Sequence, residues 1–505
     1  MSTLLATPRV EVALRVLAAG VGILFLLMGL GFLVMPEVLA TALLAAEPAR
    51  AVGINSLRGD FGGLFLGLSL FTLVGTSTRH RWLLLVPIVF LALIVMGRLI
   101  SLVVDDLPLV AKGALASELA FLAILALSMR STSLRPDAGG RTHVGSVVFR
   151  KRFALAIGIV VALVTLAFQG QRQIGMRLLG GLASSFVTAN GLERLPDGLH
   201  VGLAGTGAPL PDQRRRGPCS FVLAGKHLFI VDSGPGSTLS LESMRVPLGD
   251  IQAVLLTHVH SDHIGGLGEL MLKAWTRGAR PEPLKVVGPE GVEAVVAGFN
   301  LAYSIDAGLR VAHHGPIVAP AGGAGGVAET LTSFGPDGTA VVFQAENLKV
   351  TAFLVDHRPV EPALGYRFDY KGRSVVISGD TLPSEALRRH AQGADVLLHE
   401  ALQPEMLRVI HDAALAAGRG SAAKVTADIL TYHTFPEEVA RIARDADVGH
   451  VVLHHLIPPV PVRVLHSAFL GDARNIFPGP ITMGIEGMVL SLRPDRSSVD
   501  VGWLL

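Results

Sequence analysis

The sequence predicts two regimes in one chain, an all-α transmembrane domain followed by an α/β domain. Three observations predict it. The 505 residues are 50% hydrophobic and only 17% charged, with a mean hydropathy of +0.52, too apolar for one soluble protein and too varied for membrane throughout. Long uncharged stretches crowd into the first 170 residues. Beyond Gly170, short β-rich runs alternate with helical patterns, which indicates α/β layers.

The apolar stretches come first. Val16 to Met35 is 20 residues without charge, the length a helix needs at 1.5 Å per residue to cross roughly 30 Å of hydrocarbon. Phe61–Thr78, Trp82–Val104, Gly113–Met129 and the shorter Phe153–Gln169 follow, giving five expected spans. The first exceeds an ordinary signal-peptide core and reads as an uncleaved anchor. Positive residues in short connections stay cytoplasmic. Arg9, Arg15, Arg79, Arg81, Arg130, Arg135, Arg141, Arg150, Lys151 and Arg152 fall on one side, against Arg50, Arg58 and Lys112 on the other. The N-terminus is therefore expected inside and everything past Gln169 outside, in an integral membrane protein with an extracytoplasmic second domain. Arg58, Asp60, Arg98 and Glu118 fall near the outer ends of the spans, where charges are costly unless paired. Structural ion pairing and a ligand site are both open readings of that group. The stretch "NSLRGDFGGLFLGL" and its four-span setting resemble an uncharacterised family of small four-helix membrane domains.

The expected domains are thus a four-helix membrane domain over 1–130, a basic linker with the fifth span over 131–194, and a globular domain over 195–505. Strands are expected at 227–232 ("HLFIVD"), 251–257, 348–356, 374–380, 394–400 and 450–455, with helices at "GLGELMLKAWTRG" and "PEEVARIARDA". The Gly/Pro/Ala-rich segment 315–326 reads as a mobile insertion. The single cysteine, Cys219, rules out an internal disulfide and a cysteine-rich zinc site. A formal charge of +2 gives no overall nucleic-acid footprint.

Chemistry concentrates in "THVHSDHIGG", residues 257–266. His258 and His260, two apart in an extended segment, point the same way, while the adjacent Asp262 and His263 diverge. One loop can then supply two imidazoles to one metal and a carboxylate with an imidazole to a second. Two metals about 3.5–4 Å apart need a bridging oxygen and further ligands. His357, Asp380, His454 and His455 stand at strand ends, where α/β sheets place their sites.

The motifs "GTGAPLPDQRR" (205–215), "VDSGPGS" (231–237), "THVHSDHIGGLGEL" (257–270), "DHRPVEPALGYRF" (356–368), "SGDT" (378–381), "HEA" (399–401), "YHTFPEEVARIA" (432–443) and "VVLHHLIP" (451–458) resemble the metallo-β-lactamase fold superfamily. Within it, the nearer likeness is to the ribonuclease Z and arylsulfatase-like metallohydrolases. The resemblance implies an αββα sandwich and two Zn2+ ions, with other divalent metals as alternatives. His258, His260 and His357 would hold the first, Asp262, His263 and His455 the second, and Asp380 would bridge. Asp232 would orient the ligand loop. The family carries Thr before its last ligand histidine, so here His454 and His455 compete for that place. Asp262, His433 and Glu400 would form the catalytic set, with a metal-bound hydroxide as nucleophile and His433, tied to Glu400, as general acid. Read from the sequence alone, His433 also fits a helix start beside a Thr434–Glu437 capping box.

In bacterial ribonuclease Z the RNA-gripping arm lies between the "GY" motif and the bridging aspartate. Here only thirteen residues separate Tyr366 from Asp380. Arg214, Arg215 and Arg216 read either as a grip on an anionic substrate or as a solvated loop. The leading expectation is a membrane-anchored hydrolase of small anionic sulfate or phosphate esters, with nucleic acid an unlikely partner. The alternatives are a ribonuclease-Z-type phosphodiesterase, a lactonase or β-lactamase of the same fold, or a membrane sensor with a structural metal domain.

Overall fold

The computed structural model describes residues 8–34, 39–40, 57–78, 80–104, 109–133, 162, 166, 169, 171–188, 190–460 and 465–504. The chain divides into two compact units, Met1–Val187 and Thr188–Leu505.

The first unit is helical: α1 (Pro8–Val34), α2 (Gly63–Thr78, entered through a π-helical turn at Leu57–Gly62), α3 (Arg81–Val104), α4 (Leu109–Ser133) and α5 (Gln171–Thr188). Three stretches, Arg9–Leu33, Gly59–Thr78 and Ala114–Ser131, are long and apolar enough to cross a membrane, and α3 adds a shorter one, Arg81–Met96. The expected span at 153–169 lies outside the described residues apart from Ala162, Leu166 and Gln169. Ala18, Val21, Phe25, Leu68, Leu91 and Leu125 form the buried centre of the bundle. Small residues let α1 and α2 approach closely: a Cβ at Gly22 would lie 2.9 Å from Leu73, and one at Gly29 2.8 Å from Leu66. Of the four charged residues at the span ends, Arg98 and Glu118 pair, Nε donating to both carboxylate oxygens at 2.8 and 2.7 Å. Such pairing removes the cost of an isolated charge at membrane depth.

The second unit is a sandwich of two sheets. One has the order β15-β14-β1-β2-β3-β4-β5-β6 and the other β13-β12-β11-β10-β9-β8-β7. In chain order the strands are β1 (Leu199–Gly205), β2 (Cys219–Ala224), β3 (His227–Val231), β4 (Ile251–Leu255), β5 (Leu284–Gly288), β6 (Gly326–Thr330), β7 (Thr339–Ala345), β8 (Leu348–His357), β9 (Val360–Tyr370), β10 (Arg373–Ile377), β11 (Val396–Leu402), β12 (His450–Ile457), β13 (Ile481–Met483), β14 (Met488–Leu492) and β15 (Asp500–Trp503). Alternation along the strands builds the layers. Leu199, Val201, Leu203, Phe229 and Val231 meet Val350, Leu364, Tyr366, Phe368, Val375 and Leu398 between the sheets. The residues between them, such as Phe221, Leu228, Ile230 and Val254, face outward beneath helices. Those helices begin with α6 (Ser237–Ser243), α7 (Ser261–Ile264), α8 (Leu267–Gly278) and α9 (Val292–His314). On the second sheet lie α10 (Glu385–His390), α11 (Pro404–Ala416), α12 (Gly420–Asp428), α13 (Pro436–Asp445), α14 (His466–Leu470) and α15 (Ala473–Ile476). Val376, Leu397 and Val451 pack there against Leu387, Val439, Ala440 and Ala443. The layering is helix, sheet, sheet, helix, as expected.

Segment 315–326 differs from its expectation. The indole of Trp275 donates to the Pro320 carbonyl at 2.8 Å, and Ala319 is fully buried. The glycines shape a tight path that the α8 indole pins down.

Candidate metal centre

The strand ends converge on one pocket between the two sheets. The loop after β4 enters α7 and carries His258, His260, Asp262 and His263. From the second sheet come His357 at the end of β8, Asp380 after β10 and His455 within β12. Gly379 makes the turn that delivers Asp380: its φ is +61°, and a Cβ there would lie 2.4 Å from the Leu364 carbonyl, so only glycine fits.

The structure gathers His258, His260 and His357 into one group and Asp262, His263 and His455 into another, the ligand atoms of each lying within 4.8 Å of one another. Asp380 faces both. Its Oδ2 is 4.0 Å from Nε2 of His258 and of His357, 3.4 Å from His263 Nε2 and 3.3 Å from His455 Nε2. Between the histidines, His455 is the one turned into the pocket, 3.2 Å from Asp262 Oδ2, while His454 joins none of the groups. Asp232 and His455 both adopt left-handed backbone, with φ of 58° and 47°, a strained state for non-glycine residues that functional sites concentrate.

A second set of contacts aims these side chains. Asp232 accepts the Thr257 N–H and hydroxyl, each at 2.8 Å, and lies 2.8 Å from His263 Nδ1. His357 Nδ1 donates to the Tyr432 carbonyl at 3.0 Å. Nε2 of His263 and of His357 are buried with no hydrogen-bond partner. An imidazole fixed through Nδ1 with a bare Nε2 in the pocket is the arrangement of a metal-ligating histidine. Two imidazole-rich groups sharing one carboxylate therefore fit a pair of divalent ions, and the N/O donor set suits zinc.

The electrostatics are those of a charge-dense interior. Burial opposes ionisation of Asp380, but His455 and His263 beside it hold its carboxyl well below the usual range. Burial, reinforced by Asp380, pushes Glu400 well above it. His258 is driven well below its ordinary value, first by burial and then by the neighbouring His263.

His433 and Glu400 lie close, with Nδ1 3.3 Å from Oε1, although that Nδ1 makes no hydrogen bond. Glu400 Oε1 instead accepts the Thr434 N–H at 2.8 Å. The Thr434–Glu437 capping box does not form. The Thr434 hydroxyl donates to the Thr381 carbonyl at 2.6 Å, and Glu438 accepts the Phe435 N–H at the start of α13. Tyr432 was not anticipated; its contribution to His357 is a backbone carbonyl, which leaves no mark in sequence beyond adjacency to His433.

The model of the metallo-beta-lactamase superfamily matches residues 213–419. A ribonuclease Z of Mycobacterium sp. (strain KMS) is 35% identical over 287 residues, 57% of this chain and 93% of that protein. This chain belongs to that family. A ribonuclease Z of Mycobacterium avium (strain 104) is 36% identical over 288 residues, covering 57% and 95%. The solved structure of human tRNase Z, short form, aligns at 21% identity over 58% of this chain and 99% of its own, with a TM-score of 0.41. As a metallo-beta-lactamase superfamily member, the protein is a metal-dependent hydrolase of ester bonds, of a fold that ordinarily holds divalent ions, typically zinc.

These relatives correct two expectations. Sulfate esters lose their leading place, since the matched proteins are named ribonuclease Z. The same names stand against nucleic acid as an unlikely partner. That expectation leaned on the extracytoplasmic placement of the second domain and on the short path from Tyr366 to Asp380, seen here as the two-residue turn Lys371-Gly372 between β9 and β10. A missing arm bears on how a strand is gripped, and leaves the chemistry at phosphorus untouched.

Proposed function

We propose that the protein is a membrane-anchored, ribonuclease-Z-type phosphodiesterase whose pocket holds two zinc ions. The observation that carries this reading is Asp380, placed between two histidine-rich groups with an oxygen facing four imidazoles. His258, His260 and His357 would hold one ion and Asp262, His263 and His455 the other, with Asp380 as the shared ligand. Bound there, the pair would supply a nucleophilic hydroxide near neutral pH and polarise the phosphoryl oxygens.

The chain's own residues do the rest. Asp232 fixes His263 through Nδ1, and the Tyr432 carbonyl fixes His357, so neither ring turns away from the reacting phosphate. Asp262 helps orient the attack from its place beside His263 and His455. His433 is buried with its ring 5.5 Å, centroid to centroid, from that of His455. It serves as the general acid that protonates the departing oxygen. Glu400 holds the Thr434 N–H, and thereby the loop that carries His433.

The test is turnover of a phosphodiester by zinc-loaded full-length protein, with two variants. Asp380→Ala should abolish turnover and lower the bound metal. His433→Ala should keep its metal and lose about 10²–10⁴-fold in kcat, most for poor leaving groups. Retention of two metals and near-normal activity by Asp380→Ala would sink the assignment.

A further inference from the structure

We propose that Tyr432, together with a cleft that shares its apolar backing, forms a base-stacking subsite for the polynucleotide strand flanking the scissile phosphate. The inference rests on the phosphodiesterase reading and adds what the site recognises.

Tyr432 is a partly exposed aromatic ring at the candidate centre. It stands edge-on to His357, with centroids 5.2 Å apart and planes at 83°, and tilts against His433 at 4.9 Å and 49°. Its carbonyl is held by His357. Behind it lie the buried Leu402, Leu407, Ile429 and Ile457, against which Leu210 also packs. The ring is thus fixed on several sides and open on the remainder, which is what a stacking platform requires.

A cleft of about 500 Å³ lined by Leu210, Pro211, Gln213, Arg214, Ile410 and Pro459 opens off the same apolar cluster. Asp212 also borders it, but its carboxylate accepts the Arg214 N–H at 2.9 Å and lies 3.8 Å from Arg215 Nε. Arg214 is exposed whereas the Asp212 carboxylate is largely buried, so the guanidinium is the charge this rim presents to solvent. Apolar walls with a cationic edge suit bases and the phosphates between them. Aromatic stacking tolerates any base, and it predicts recognition that is indifferent to sequence yet sensitive to loss of a base.

The experiment uses the full chain, zinc-loaded, with a short single-stranded oligoribonucleotide and the same strand made abasic at the nucleotides flanking the cleaved bond. In the wild type, removing the stacked base should raise KM by about 5- to 150-fold. Tyr432→Ala should raise KM for the intact strand and bring the abasic-to-intact ratio near one, while Tyr432→Phe and Tyr432→Trp keep the ratio. Ile410→Glu, on an exposed helical face, should raise KM for the intact strand. Metal content of every variant checks that the pocket survives. A wild-type ratio retained by Tyr432→Ala, or an unchanged KM in Ile410→Glu, would overturn the subsite. Wild-type protein that hydrolyses bis(p-nitrophenyl) phosphate but no oligonucleotide would also overturn it, whereas inactivity on both would overturn the phosphodiesterase reading itself.

Discussion

At the residue scale, His399 shows how the pocket's surroundings constrain the fold. Its Nδ1 donates to the Glu400 carbonyl at 2.7 Å, and its Nε2 is buried without a partner. Burial pushes the ring down to about 4. The folded state therefore accepts the neutral ring and resists the charged one, while the unfolded ring titrates near 6.5. This contribution to stability is whole above about pH 6.5 and is lost progressively as pH falls toward 4, on the order of 3 kcal/mol in full. Denaturant unfolding of wild type and His399→Gln between pH 7.5 and 4.5 should show the steeper decline in the wild type; parallel curves would refute it. The proposed ligand residues were legible because four sit in one loop and the others close apolar strands. The resemblance pointed to His455 over His454, whereas the left-handed backbone at His455 was not legible, since no residue type announces it. Nor was the failure of the capping box, because the hydroxyl that would have capped α13 is already spent on Thr381.

At the scale of elements, strands with continuous apolar runs stood out: β3, β4, β8, β10, β11 and β12 all appear within a few residues of their expected ranges. Strands such as β1, "LHVGLAG", and β9, with Pro362 and Gly365 inside it, did not. Glycine and proline argue locally against a strand, and pairing on both sides overrides them, by β2 and the distant β14 for β1 and by the adjacent β8 and β10 for β9. The glycine at 365 is demanded by packing, since a Cβ there would lie 2.4 Å from the Phe353 ring. In the helical unit, the sequence alone bears on segment 153–169. The bias of Lys and Arg toward alternate connections predicts that it crosses, leaving residue 171 onward outside. Reporter fusions after Gln169 should score as external, with fusions at 131–145 cytoplasmic. A cytoplasmic signal at both would place the segment along the bilayer.

At the scale of the molecule, the pocket draws on both sheets, so the proposed ions tie one half of the sandwich to the other. Anything that binds the native state alone stabilises it, by about 2.7 kcal/mol when free ligand is a hundredfold above Kd. Calorimetry should find the transition of the second unit lowered after chelation and restored by added zinc. An unchanged Tm would argue that the pocket holds no ion in the folded protein.

The division of the pocket between the sheets also orders events in time. Asp262 and His455 meet across 193 residues of chain, and a ribosome delivers the first long before the second. Until β12 has been made and laid beside β11, the loop after β4 offers only part of a site. A half-made protein thus lacks the full donor set, and the pocket is completed only when β12 arrives.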